Sequence, residues 1–573
     1  SSRYLYGRLA LQVLALLMGP GGCTHNRFAT VAGTDGAPVP RPSDADGASP
    51  ARSARPTGTR SATTQPASQS RVRPSALAGT GYPARRSAIA VALHRILRTL
   101  PTGPRLPHKP VALIVPHAGW EYSGPAAMSA FRHVKEDDYA RVVVIGPTHR
   151  VGFRGFSLSD AAAYRTPLGD VPVCREASEL RAEPLLTTVP GADHQEHSLE
   201  IELPMLQQRL GSFCLVPILV GQTDPAMEQA MATQLATLHD GRTLFVVSSD
   251  FVHYGPDFAY TPYGPTALRA HARIVELEKQ ALSLIHPQGA APFRALIDST
   301  GATICGHRGI SVLLELLGQI APRAKPLLLA HYGSSELPGA EGTNGVWYAA
   351  VAYLEGTVPA TEPLRAPRQF PRAGPGRSEL SPQAGERLVR MARATLTGEL
   401  SDSRQLEREL VGLGASTELE RIQAVFVTLR KAGRLRGCVG QVEPEYWLPE
   451  AVVHAASGAA LHDGRFSPVM PHELNELSVE VTVLSPPRPV ASSQQITVGR
   501  HGIILQKDGR RALFLPQVAT EQRWNRTQTL QALSRKAGLA PEAWSARDAK
   551  LWVFTGQSLG ERRDASTASS PDP

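Results

Sequence analysis

Cysteine is scarce in this chain. Its 573 residues include 5, namely Cys23, Cys174, Cys214, Cys305 and Cys438. They are scattered and odd in number, so no disulfide framework is expected. No C-x-x-C pair occurs, which removes a zinc-ribbon reading. Long apolar runs are missing too. Leu9 to Met18 spans about ten residues where a bilayer needs roughly 20, and no other stretch reads as a transmembrane helix. A basic surface is also lacking where it would matter. Residues 1–110 hold 15 Lys+Arg against 3 Asp+Glu, while the whole chain carries a net charge of +9. The folded part is therefore close to neutral, and charge gives no support to nucleic-acid binding.

The N-terminus has its own pattern. Arg3 and Arg8 precede the apolar run, and Gly19-Pro20-Gly21-Gly22-Cys23 follows it. A basic start, a short apolar core and small residues before a Cys have the order of a bacterial lipoprotein signal over residues 1–23, with a lipid anchor at Cys23. Pro20 departs from that pattern, and a start site placed upstream of the true one is the alternative. Residues 24–81 are rich in Pro, Ser, Thr, Ala, Gly and Arg. Such a segment cannot bury enough surface to offset its ordering entropy, so a disordered tether is expected.

Beyond it the pattern changes. AIAVALHRIL has helical spacing, whereas VALIVPHAGW, ARVVVIGPTHR and LFVVSSDFVHYG each run from β-branched apolar residues into a polar turn. Apolar strands interleaved with helical stretches such as LEIELPMLQQRL indicate an α/β domain over 82–355 with a buried sheet. In such folds ligands gather at the carboxyl ends of the strands, and all three strand ends carry a His. A Pro-, Gly- and Arg-containing linker is expected over 356–378. A smaller α+β domain follows over 379–562, with strands LSVEVTVL and GIILQKDGRRALFL, the latter turning at Lys507-Asp508-Gly509. Residues 563–573 read as a frayed tail.

Five segments of the first domain carry chemistry: Pro116-His117-Ala118-Gly119-Trp120, Gly146-Pro147-Thr148-His149, Glu196-His197-Ser198-Leu199-Glu200, Ser249-Asp250-Phe251-Val252-His253 and Ile304-Cys305-Gly306-His307. Neutral imidazole and thiolate bind first-row metals, and a carboxylate can ligate or orient a His. Two His and one anionic ligand leave coordination positions open, and a thiolate favours iron or copper over magnesium or calcium. Spacing alone leaves open that these are hydrogen-bonded structural His and that Cys305 is a small buried apolar residue. Glu200, three residues after His197, would share a helix face with it and could fix its ring, or could lie on a solvated face. His194 and His307 read as surface or supporting groups.

The motifs HAGWEYSGPAA, GPTH, YRTPLGD, EHSLEIELPML, VPILVG, SSDFVHYG and ICGHRGI resemble those of the Memo family, AmmeMemoRadiSam system protein B, in order and spacing over roughly Tyr82 to Leu354. The resemblance implies a fold like the class III extradiol dioxygenases. It implies one iron or copper ion held by His117, His149 and Cys305, with Asp250 and His253 at the site and His197 as a proton donor. The thiolate in place of a carboxylate argues against ring cleavage.

In the second domain, LRGCVG at 435–440, His462-Asp463-Gly464-Arg465-Phe466 and LPQVA at 515–519 resemble the AMME chromosomal region family, AmmeMemoRadiSam system protein A. Arg436, Cys438, Asp463 and Arg465 are its candidate cleft. Cys438 beside Arg436 would be a lowered-pKa thiolate with His462 or His454 as base, or it packs beneath a tight glycine turn. The family name implies a radical S-adenosylmethionine partner. This chain has no CxxxCxxC motif, so that partner would be a separate polypeptide. Two functions follow: a mononuclear metal-dependent oxidoreductase, dioxygenase-like, acting on a small-molecule or peptide substrate; or a metal carrier or ligand-binding scaffold using the same cleft. A lipoprotein would be membrane-anchored, whereas the radical-enzyme partner points to the cytoplasm.

Overall fold

The computed structural model describes residues 71–561, apart from 102–105, 288, 339, 341, 360–361, 368–378, 402, 414–417, 442–443 and 445. The expected signal, Cys23, the tether up to residue 70 and the tail lie outside the described residues.

Four parallel strands form the centre of the first domain, in the order Ala112–Val115, Thr243–Ser248, Arg141–Pro147 and Cys214–Val220. Their residues are mostly β-branched or aliphatic and almost wholly buried, as a sheet covered on both faces requires. Gly345–Leu354 pairs antiparallel with the first strand, and Lys325–Gly333 extends that edge. Alternation sorts the side chains between two cores. Leu113, Val115, Val142, Val144, Leu244 and Val246 face one, with helices Gly124–Phe131 and Leu203–Leu210. Ala112, Ile114, Val143, Ile145, Phe245 and Val247 face the other, with helices Pro225–Ala236, Ala267–Ser283 and His307–Ile320. Parallel strands all end on the same side, so His117, His149 and Asp250 emerge together.

Two expectations are corrected here. The tether read through residue 81 gives way earlier: Val72–Arg73 pairs in parallel with Ala163–Thr166, and Arg73, Leu77 and Tyr82 are buried. The buried Arg73–Glu200 pair draws this Arg- and Ser-rich segment into the fold, with Leu77 and Tyr82 packed into the first core. The scattered cysteines also contain one disulfide, Cys174–Cys214. It ties the start of a central strand to the N-cap of helix Arg175–Leu180, across 40 residues of sequence. Cys305 and Cys438 are free.

The second domain is α+β. One antiparallel sheet runs Arg434–Gly440, Val425–Lys431, Leu477–Leu484, Gly556–Gly560; another runs Arg488–Val490, Lys550–Phe554, Gly502–Lys507, Arg510–Phe514. The last two strands meet at Asp508 and Gly509, both at positive φ, as a two-residue hairpin demands. Helices Pro382–Ser401 and Leu448–Leu461 cover the first sheet. Helix Arg86–Thr99 joins the two domains. Ile89, Leu93 and Ile96 enter the first core, while Ala90 and Val91 enter the second domain's core. Arg95 pairs with Glu450 at 3.0 Å, Arg98 pairs with Glu420, and His94 stacks on Trp447. Among the described residues no helix is long and apolar enough to cross a membrane.

Candidate metal centre

Three imidazoles converge at the carboxyl end of the sheet. His117 follows strand Ala112–Val115, His149 follows Arg141–Pro147, and His197 lies in the turns before helix Leu203–Leu210. One ring nitrogen from each lies within 4.8 Å of those of the other two. The ring centroids of His149 and His197 are 4.5 Å apart, and His117 stands edge-on to both. Three imidazoles brought this close can share one cation. The structure thus groups His197, expected as a proton donor, with His117 and His149. Cys305, expected as the anionic ligand, lies beside that group, its Sγ 3.2 Å from His117 Nε2.

The residues around the rings fix their orientation. Glu196 is buried between two of them. Its carboxylate accepts the backbone N–H groups of His149 at 2.6 Å, His197 at 2.9 Å and Ser198 at 3.1 Å, and lies 3.0 Å from His149 Nδ1. Burial opposes its charge, but His149, with help from His197, outweighs that and holds the carboxyl well below the usual carboxylate range. With Nδ1 engaged, His149 Nε2 is left buried with no hydrogen-bond partner among the described residues. The same holds for His253 Nε2, because His253 Nδ1 is taken by the carbonyls of Phe251 and Thr303 at 2.9 and 3.0 Å. Buried polar atoms are rarely orphaned, and with Nδ1 engaged each of these Nε2 atoms keeps a lone pair that a ligand can use. Burial, with its imidazole neighbours, pushes the His117 pKa well down, keeping it neutral with a lone pair free for coordination. This donor set suits a first-row transition metal.

Asp250 has a backbone role. Its Oδ1 accepts from the N–H of His117 at 2.8 Å and of Ala118 at 3.2 Å, which ties the His117 turn to the next strand. Burial raises its pKa. Cys305 Sγ also lies 3.4 Å from the Asp250 carbonyl. Burial, and Asp250 after it, pushes the Cys305 thiol well up, so the metal-free site holds a thiol. Gly306 is required here by close approach: a Cβ on it would sit 2.5 Å from Ser249 Cβ. Its N–H donates to Ser249 Oγ at 3.0 Å, pinning Cys305 against the Asp250 segment.

Glu200 does not orient His197. It is followed by turns rather than lying in a helix, and its carboxylate pairs with Arg73 at 2.5 Å while accepting from Ser75, Tyr82 and two backbone N–H groups. His194 is exposed, and His307 Nδ1 lies 2.8 Å from the Ile304 carbonyl. Glu196 lies in one of the five segments that the sequence singles out, and the structure gives it the role of orienting His149. Glu202 and Ser248 fall within EHSLEIELPML and SSDFVHYG, but their spacing gives neither a role.

In the second domain Cys438, Asp463 and Arg465 meet. Asp463 accepts the Cys438 N–H at 2.8 Å and pairs with Arg465 at 2.7 Å, and Arg465 reaches the Cys438 carbonyl at 3.1 Å. Arg465 first, against burial, depresses the Asp463 pKa strongly. Arg436 points elsewhere, to Glu473 at 2.8 Å, and Thr428 Oγ1 donates to Cys438 Sγ at 3.4 Å. His462 contacts Arg85 of the joining segment, and His454 faces Glu450 and Tyr446. LRGCVG is a strand, not a turn. Gly437 is needed because a Cβ would meet the Ala459 carbonyl at 2.0 Å, so helix Leu448–Leu461 packs directly onto the backbone.

The Memo-like protein family model matches residues 73–352, and the AMMECR1 family model matches residues 389–559. A Xenopus laevis relative named Protein MEMO1 is 34% identical over 245 residues, covering 42% of this chain and 82% of the relative. The chain belongs to the Memo family, fused to an AMMECR1 domain. Protein memo-1 homolog of Caenorhabditis elegans is 36% identical over 210 residues. The chain spans only 60% of that relative's length, and the match takes in 36% of the chain. Protein MK0488 of Methanopyrus kandleri is 38% identical over 192 residues, covering 32% of this chain and 91% of that protein. The Memo match begins at Val72's neighbour Arg73, in keeping with the folded segment that precedes residue 82.

Proposed function

We propose that this Memo-family chain is a mononuclear iron- or copper-dependent oxidoreductase, dioxygenase-like in the layout of its site. The carrying observation is the convergence of His117, His149 and His197, together with His149 Nε2 and His253 Nε2, two buried nitrogens without hydrogen-bond partners among the described residues. When bound, such a metal supplies one-electron chemistry and open positions for O2 or substrate activation. His117 and His149 hold it, with His197 and Cys305 next to them as further donors. His253 Nε2 is positioned to take or give a proton at the site, since its other nitrogen is fixed by two carbonyls. Asp250 keeps the His117 turn in place. Substrates would be small molecules or peptides, and a separate radical S-adenosylmethionine protein would be the partner. The Cys174–Cys214 disulfide favours an oxidising compartment, in line with a lipid anchor at Cys23.

A metal carrier is the second reading, favoured by the soft Cys305 sulfur against His117. Ascorbate-driven O2 uptake by the copper- and iron-loaded full chain separates them. The enzyme reading predicts sustained, metal-dependent uptake that His253→Gln slows. Suppression of free-copper cycling by the wild-type chain, unaffected by His253→Gln, would favour the carrier.

A further inference from the structure

Ser248 ends the strand Thr243–Ser248, which lies between the strands that deliver His117 and His149. Its hydroxyl sits 2.8 Å from His117 Nδ1 and 3.2 Å from Glu202 Oε1. Ser248 is completely buried and Glu202 is 1% exposed. A buried carboxyl normally has a cation or several donors around it. Glu200, two residues earlier, has an arginine and four further donors. Among the described residues Glu202 has neither, and its side chain's recorded hydrogen bond is the one to Ser248.

The direction of this chain of bonds has a consequence. A hydroxyl carries one proton and two lone pairs. When Ser248 gives its one proton to Glu202, its oxygen is left to accept from His117, and Nδ1 carries the ring proton; burial raises the Glu202 pKa, and a protonated Glu202 that donated to Ser248 would allow the reverse order, which the spectra below distinguish. In the first order His117 Nε2 is the bare nitrogen, and it is the one that faces Cys305. Metal-binding His commonly use a carboxylate on the far nitrogen in this way. Here a serine is interposed.

We propose that Ser248 and Glu202 are positioning residues that lock the His117 ring and its tautomer so that Nε2 is presented to the metal. Their role rests on the metal-binding reading of the site, but not every readout does. The first readout needs no metal: proton–nitrogen correlation spectra of the 15N-histidine-labelled, metal-free full chain, with His117 assigned by its loss in His117→Asn. Nδ1–H is expected in the wild type. Ser248→Ala and Glu202→Leu should move His117 toward Nε2–H or a tautomer mixture, and Ser248→Thr, which keeps the hydroxyl, should restore Nδ1–H. The second readout is metal affinity by chelator competition, where Ser248→Ala should weaken binding by about 10–100-fold and Ser248→Thr should recover most of it. A wild-type chain that binds no metal but shows the tautomer shift would remove the metal-binding reading while leaving the relay intact. An Nε2–H tautomer in the wild type, or one unchanged in both variants, overturns the relay.

Discussion

Removing one partner of the Arg73–Glu200 pair should release the N-terminal segment of the fold. Both side chains are almost fully buried, at 1% and 0% exposure, with 2.5 Å between Arg73 Nη1 and Glu200 Oε2. Arg73 also donates to the Asp193 and Glu196 carbonyls, both at 2.6 Å, and stacks over Tyr164. Glu200 accepts the N–H groups of Ala76 and Leu77 at 2.8 and 2.9 Å. Breaking a buried pair from one side costs about 3–5 kcal/mol, because it strands the other charge. At about 1.4 kcal/mol per power of ten, Arg73→Met should raise the opening constant of this segment by roughly two to four powers of ten. Native-state hydrogen exchange on the full chain reads this locally at the Ala76 and Leu77 amides, without assuming that both domains unfold together. The double variant Arg73→Met/Glu200→Met should open less than the two single effects combined, since no charge is left unpaired. The pH dependence has a fixed sign. Burial raises the Glu200 pKa, but Arg73 and the surrounding donors outweigh it, so the folded value is depressed. Protection is therefore complete above the unfolded value of about 4.3 and is lost as pH falls through the folded value. Wild-type amides at 76 and 77 exchanging as fast as an unstructured peptide, or unchanged in Arg73→Met, would refute this account of the segment.

Other consequences can be measured separately. Alkylation without reductant should leave Cys174 and Cys214 unmodified, and Cys174→Ala/Cys214→Ala should cost up to about 4 kcal/mol by the loop-entropy estimate for a separation of 40 residues; mass spectrometry and denaturant unfolding check both. Gly437→Ala should destabilise the second domain by at least 1–3 kcal/mol, read from the exchange rates of helix Leu448–Leu461, because the Ala459 carbonyl cannot make room for a Cβ. Val91→Glu places a charge in the core shared by helix Arg86–Thr99 and the second domain. After proteolysis at a site inserted within 368–378, the wild-type halves should co-elute in gel filtration, whereas those of the variant should separate.

The parallel sheet and the gathering of His at its strand ends are readable because buried strands leave nearly unbroken apolar runs, and three of the four parallel strands lead into His117, His149 or Asp250. The hairpin at Asp508-Gly509 was readable for a similar local reason. What escaped is what depends on distant pairing. Arg73 looked like one more charge in a polar tail, since nothing near it in sequence announces Glu200, 127 residues away. Cys174 and Cys214 have no local spacing signature. The turn that carries His197 reads as the start of a helix, because EHSLEIELPML keeps helical periodicity, whereas the chain does not become helical until Leu203. That change in backbone sends Glu200 to Arg73 and brings His197 in beside His117 and His149. Glu202 was hidden for the same reason. In a regular helix it would have read as one acidic residue among three in a short stretch.

The central claim is that the His117, His149 and His197 cluster holds one transition-metal ion. Metal analysis of the full chain, purified anaerobically and reconstituted with iron or copper, tests it beside His117→Ala, His149→Ala and Cys305→Ser. The account predicts close to one iron or copper per wild-type chain and its loss in both His variants. A metal-free wild-type chain after reconstitution, or metal retained when both His are removed together, would contradict it.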